Sequence, residues 1–172
     1  TLGRADVPCG RSTGKHEAHE VRDGDSRYAG RGVRSAVYNV HDVIRPVLLG
    51  KNSVEQREID ELMIELDGTP NKSKLGSNAI VGVSLAVAKS AANALGKPLY
   101  EHIGGADPHI LPVPVLDMIE GGMLAASGLD FQEHQVMPVG AESFSEAIRM
   151  GMEVYYKLGN ILEKEWGRHS LN

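Results

Sequence analysis

The chain has one cysteine, Cys9, in 172 residues. An internal disulfide is therefore excluded, which fits a reducing compartment. No apolar run reaches membrane-spanning length: residues 80–88 fall well short and are broken by Gly82 and Ser84. No basic-then-apolar opening with a cleavage site is visible, so no secretory signal is expected. There is no basic excess either. A net charge of −5 speaks against a general nucleic-acid binder. Positive charge is nonetheless gathered early, at Arg4, Arg11, Lys15, Arg22, Arg27, Arg31, Arg34 and Arg45. A solvated basic face and a surface attracting a small anion both remain open. The histidines at 16, 19, 41, 102, 109, 134 and 169 show no metal-ligand spacing and read as surface or satisfied side chains. Internal repeats and low-complexity tracts are missing.

What is present is an ordinary globular composition, 41% hydrophobic and 24% charged, enough to bury a core in one or two modest domains. Residues 1–32 are rich in glycine and charge and read as loop with short extended pieces. Val33, Val37, Val40 and Ile44 then recur at helical spacing, with Pro46 expected to stop the helix. Ser53 and Gln56 form the pattern of a capping box opening a second helix, whose buried stripe is Ile59, Leu62, Met63 and Leu66 and whose end is Gly68. A third helix is expected from Ser77 to Leu95, apolar almost all round and so in need of cover on most sides. Gly82 and its alanines invite close approach of other backbone. Gly96 and Pro98 end it. Residues 104–108 read as a connector. Beyond it, residues 110–116 and 131–137 are expected strands, although Pro112 and Pro114 argue against central pairing in the first. Ser143 with Glu146 repeats the capping-box pattern and opens a long amphipathic helix, which Gly151 and Gly159 are expected to bend or divide.

Taken alone, the chemistry-bearing residues are modest signals. Gly10-Arg11-Ser12-Thr13-Gly14 is a glycine-flanked hydroxyl pair that offers oxygens to a cation or phosphate, but it lacks the Lys-Ser/Thr of a Walker loop. An ordinary surface loop is the alternative. Gln132-Glu133 stands at a strand start, where adjacent side chains point to opposite faces. An exposed glutamate is the plain alternative there. No base is assigned near Cys9, so it is not read as a nucleophile.

Read together and in order, the segments carry more. Arg4-Ala5-Asp6-Val7-Pro8, Gly10 to Gly14, Arg22-Asp23-Gly24-Asp25-Ser26-Arg27-Tyr28, Met63 to Thr69, Gly76-Ser77-Asn78-Ala79-Ile80, Gly82 to Val87, Leu111-Pro112-Val113-Pro114 and Gln132-Glu133 resemble the enolase family across nearly the whole chain. The resemblance implies an α/β fold. A small α+β amino-terminal domain (1–109, without its first hairpin) is followed by the opening strands and helices of an enolase-type TIM barrel (110–172), which is incomplete.

It also implies a lyase of glycolysis that dehydrates 2-phosphoglycerate to phosphoenolpyruvate with two Mg²⁺ ions. Such a protein is expected in the cytoplasm as a homodimer or higher oligomer, with no nucleic-acid or membrane partner. By position, Ser12 corresponds to the serine of the family's mobile loop, which ligates the second Mg²⁺. Thr13 is its neighbour, and Gly10 and Gly14 are the loop's hinge-like glycines. Glu133 corresponds to a glutamate at the substrate's reacting end and Gln132 to its neighbour. The lysine base, the principal acid and the carboxylates of the first Mg²⁺ are expected beyond Asn172, so this piece alone is expected to be inactive. One segment departs. Where the family has Asn-Gly-Gly-x-His-Ala-Gly-Asn, residues 120–127 read Glu-Gly-Gly-Met-Leu-Ala-Ala-Ser, which puts Leu124 at the histidine. Leucine neither donates a hydrogen bond nor carries a proton. A non-catalytic enolase-like binding or subunit partner is therefore the competing expectation.

Overall fold

A computed structural model describes residues 1–8, 10, 13–105, 107–125 and 127–167. The chain divides into two compact units, Thr1–Pro108 and His109–Asn172.

In the first unit the initial helical stretch does not stop at Pro46. Helix α1 (Arg34–Tyr38) passes into a π-helical segment, Asn39–Ile44, and then into α2 (Arg45–Leu48), which carries Pro46 in its first turn. Proline lacks an N–H and crowds the carbonyl one turn back. The wider π turn just before it loosens that spacing, so the helix runs on for a further turn. Asp23 holds the start of α1 from outside the helix. Its carboxylate accepts from Arg34 N (3.0 Å) and Ser35 N (2.9 Å), two of the free donors of the first turn. Those backbone donors hold the Asp23 carboxyl below its usual range.

The second helix also begins later than Ser53. Helix α3 (Gln56–Asp67) has Glu55 at its N-cap and no side-chain cap. Asn52 instead closes a turn onto Val54 N (3.2 Å). Gln56 is drawn away from the capping role. Its side-chain amide donates to Asp60 (3.1 Å) and to Ser84 Oγ (3.1 Å) and so ties α3 to α4 (Ser77–Ala94). Gly68 ends α3 in the left-handed region, as the pattern predicts. The core lies between these helices: Ala36, Ile44, Ile59, Met63, Leu75, Ala79 and Ile80 are buried together, with Val40, Val43, Leu66 and Val87 packed around them.

One charged group is buried with the core. Asp67 is 2% exposed. Burial pushes its carboxyl up, but donors from Thr69, Leu75 and Lys74 outweigh that and hold it below the ordinary value. Thr69 N (2.9 Å) and Leu75 N (2.7 Å) both point at it, so the carboxylate organises the turn between α3 and α4.

Helix α4 is less fully covered than its composition suggests, for Val81 and Leu85 are exposed. The close approach foreseen along it does occur. Residues 1–3 run over the helix so tightly that a Cβ on Gly3 would fall 1.9 Å from Ala86 O. Thr1 Oγ1 reaches Ser90 O (3.2 Å), and Asn93 donates to Leu2 O (2.9 Å). A short helix, α5 (Leu99–Gly104), follows directly after Pro98. The sequence reading assigned nothing to residues 99–103, because it took Pro98 only as an end, whereas proline that forbids continuation of one helix is equally suited to begin the next.

The second unit opens with residues 110–115 outside any strand. Pairing starts only at β1 (Leu116–Glu120), once Pro112 and Pro114 are past, because neither has an N–H for a ladder. β1 pairs antiparallel with β2 (Glu133–Val136). The register matches Leu116 with Val136, Asp117 with Gln135, Ile119 with His134 and Glu120 with Glu133, with a bulge between Asp117 and Ile119. Helix α6 (Phe144–Trp166) is a single element, neither broken nor divided at its glycines. Ser143 Oγ accepts from Glu146 N (3.2 Å), half of the expected capping box, while the Glu146 carboxylate turns to Arg149 instead. Gly151 serves packing: a Cβ there would fall 1.9 Å from Leu116 Cδ1, so its absence lets α6 lie against β1.

Candidate functional site

Two sets of predicted residues fall in the two units. In the first unit, residues 19–21 run alongside the beginning of α4. His19 N donates to Asn71 O (2.6 Å), and Ser77 N donates to His19 O (2.8 Å). The Asn78 side chain pairs with Val21 as a backbone would, accepting from its N (3.2 Å) and donating to its O (3.0 Å). This arrangement supports a cleft of about 360 Å³ whose wall includes Gly10, Thr13, Glu17, His19, Asn71 and Asn78. Gly10 and Thr13 of the glycine loop therefore border a polar hollow. Its far end is pinned, since Gly14 N donates to Glu17 Oε2 (2.8 Å) and Glu17 N returns to Gly14 O (3.1 Å). Cys9, Arg11 and Ser12 lie outside the described residues, so the position expected to ligate a metal is not part of this geometry. Two of the early cations are paired locally: Arg4 with Asp6 (3.3 Å) and Arg22 with Glu20 (2.8 Å).

In the second unit, the Gly121–Gly122 pair brings the end of β1 hard against the approach to β2. Gly121 N donates to Gln132 O (2.6 Å) and Gly122 N to Leu129 O (2.8 Å). A Cβ on Gly121 would fall 2.1 Å from Phe131 O, and Gly122 has φ +64°. Only glycine meets both demands. The loop so closed presents Gln132 and Glu133 at the start of β2, both exposed. Leu124 ends a short 3₁₀ turn, Gly122–Leu124.

Sequence reasoning missed the partners of Glu133. Residues opposite one another in an antiparallel pair share a face, as do alternate residues of a strand. With the bulge, the register sets Asp117, Glu120, Glu133 and Gln135 on one face of the hairpin. Gln135 Nε2 donates to Glu133 Oε2 (3.0 Å) and to Asp117 Oδ1 (2.6 Å), and Gln132 Nε2 lies 3.4 Å from Glu133 Oε1. Glu120 Oε2 is buried and, among the described residues, has no hydrogen-bond partner. The period of two from Glu133 to Gln135 was visible in the sequence. The partnership with Asp117 was not, because it depends on register. Among the described residues, no grouping of three or more His, Cys, Asp or Glu is arranged to hold a metal ion. No helix among them is long and apolar enough to cross a membrane.

A first unit that has helices and no strand among its described residues, where an α+β domain was expected, precedes a unit that opens with two antiparallel strands and a long helix. Residues 1–103 match the family model for the enolase N-terminal domain, and residues 108–172 match that for the enolase C-terminal TIM barrel domain. The chain belongs to the enolase family. It is 57% identical to the enolase of Thermococcus kodakarensis and 56% to that of Methanopyrus kandleri, in both cases over its full 172 residues. It is 54% identical to the enolase of Pyrococcus furiosus over 171 residues, or 99% of the chain. The chain spans 40% of the length of each of these relatives.

Proposed function

We propose that this chain is the front part of a lyase that dehydrates 2-phosphoglycerate to phosphoenolpyruvate. The observation that carries the reading is likeness over the whole chain, at 54–57% identity, to proteins named enolase. In this reading residues 1–109 are the amino-terminal domain and 110–172 the opening of the barrel. The complete protein works in the cytoplasm as a homodimer or higher oligomer.

The chemistry asks for removal of a weakly acidic proton beside a carboxylate and departure of hydroxide, which demands concentrated positive charge. Glu133 is the group of this chain assigned to the reacting end, as a proton-carrying carboxyl, with Gln132 as its neighbour. Gly10, Thr13 and Gly14 belong to the loop that folds over the substrate. Ser12 is assigned to the second Mg²⁺. The described residues do not by themselves fit a divalent-ion site, since their carboxylates form no three-ligand cluster. No step through the ion is therefore derived from them.

Leu124 favours a second reading, an enolase-like subunit or binding partner without activity. Phosphoenolpyruvate formation by the complete protein, wild type and Leu124→His, separates the two. Strong wild-type turnover retires the second reading. Turnover gained only in the variant retires the first.

A further inference from the structure

We propose that Gln135 and Asp117 are positioning residues that fix the Glu133 carboxylate, an inference that rests on the reading of Glu133 as the proton-carrying group. A glutamate at an exposed strand end ordinarily samples several rotamers, and ordering such a side chain is opposed by its conformational entropy. Here both of its oxygens have a neighbouring donor. Gln135 Nε2 lies 3.0 Å from Oε2, and Gln132 Nε2 lies 3.4 Å from Oε1.

The arrangement of Gln135 is the more informative. Its amide nitrogen has two hydrogens and contacts two carboxylates, Glu133 at 3.0 Å and Asp117 at 2.6 Å. Both carboxylates only accept when ionised, so the amide is the group that lets them stand side by side. Asp117 sits opposite Gln135 in the ladder, and Gln135 is two residues from Glu133 on the same strand. The three side chains are thus held by backbone pairing rather than by a loop. Asp117 anchors the amide, and the amide orients Glu133. A group that must meet a reacting atom within hydrogen-bond reach gains from such support.

Two arms test this on the complete protein. In the first, the side-chain amide of Gln135 is followed by nitrogen-15 NMR. Both protons are expected to be shifted and slow to exchange, with one released in Asp117→Ala and the other in Glu133→Ala. An amide with the signature of free glutamine in the wild type overturns the inference without reference to activity. In the second arm, turnover is measured for Gln135→Leu, Glu133→Gln and the double variant Asp117→Asn, Gln135→Leu. All three positions are exposed, and circular dichroism verifies that the variants fold.

Gln135→Leu is expected to lower kcat roughly 10-fold at unchanged KM. The added Asp117→Asn, which removes the opposing charge and restores an amide, is expected to recover most of that loss. A kcat unchanged in Gln135→Leu, or a loss that the double variant only deepens, overturns the inference while leaving the function standing, provided Glu133→Gln is impaired. Full activity in Glu133→Gln, or none in the wild type, removes the underlying reading and this inference with it.

Discussion

Asp67 shows how much one residue carries. A carboxylate sealed among hydrocarbon is costly unless donors meet it, and here the donors come from the very turn it organises. Asp67→Ala leaves Thr69 N and Leu75 N without their acceptor. It should destabilise the first unit by about 2–3 kcal/mol, read from urea melts. The sign with pH follows from its lowered carboxyl. The stability it contributes is fully present above the ordinary value of 3.8 and is lost as pH falls through the still lower folded value. A melting midpoint of the first unit that held constant below pH 3.8 would contradict this. Glu120 is the opposite case. It stands across from Glu133 with a buried oxygen that has no hydrogen-bond partner among the described residues. Glu120→Gln should therefore stabilise the hairpin by roughly 0.5–1 kcal/mol, since like charges facing across a ladder repel. A lower melting midpoint for this variant would count against that account.

Among the elements, α3, α4 and α6 were legible because their apolar residues recur at the helical period and their ends carry glycine or serine. What escaped was decided by neighbours. Gln56 had the right place for a capping box, yet it reaches Ser84 on another helix. Pro46 had the residue type of a stop, yet the π turn before it accommodates the ring. These contrasts predict different costs for similar substitutions. Ser143→Ala, which removes a cap that is formed, should cost about 1 kcal/mol, whereas Ser53→Ala should cost almost nothing. Equal losses in thermal melts would refute the distinction. The Arg149 pairs with Glu146 and Glu153 on α6 are exposed. They raise the guanidinium's proton affinity, chiefly through the Glu146 hydrogen bond, but pairs of this kind add little stability and are screened by salt.

At the scale of the whole chain the two units differ in substance. Among the described residues the first has a continuous core of seven buried side chains, and Met63→Ala within it should cost about 2–5 kcal/mol. In the second, the buried hydrophobic residues are Met118 and Ala147 among those described, and its sheet has two strands. A lone hairpin is marginal in water. Hydrogen exchange should therefore find the amides of β1 and β2 far less protected than those of α3 and α4. The second unit also exposes Ile110, Leu111, Phe131 and Val139. The 172-residue chain by itself should self-associate. A monodisperse monomer with one cooperative melt would defeat both expectations.

The sequence by itself determined the family and the helices with a strong apolar period, because periodicity and motif order are properties of the chain alone. Tertiary structure decided the rest. It moved the first barrel strand past its prolines, gave Gln56 a partner on another helix and, through a one-residue bulge, brought Asp117 and Gln135 together beside Glu133. Which side chains share a strand face depends on register, and register is fixed by pairing between segments distant in sequence.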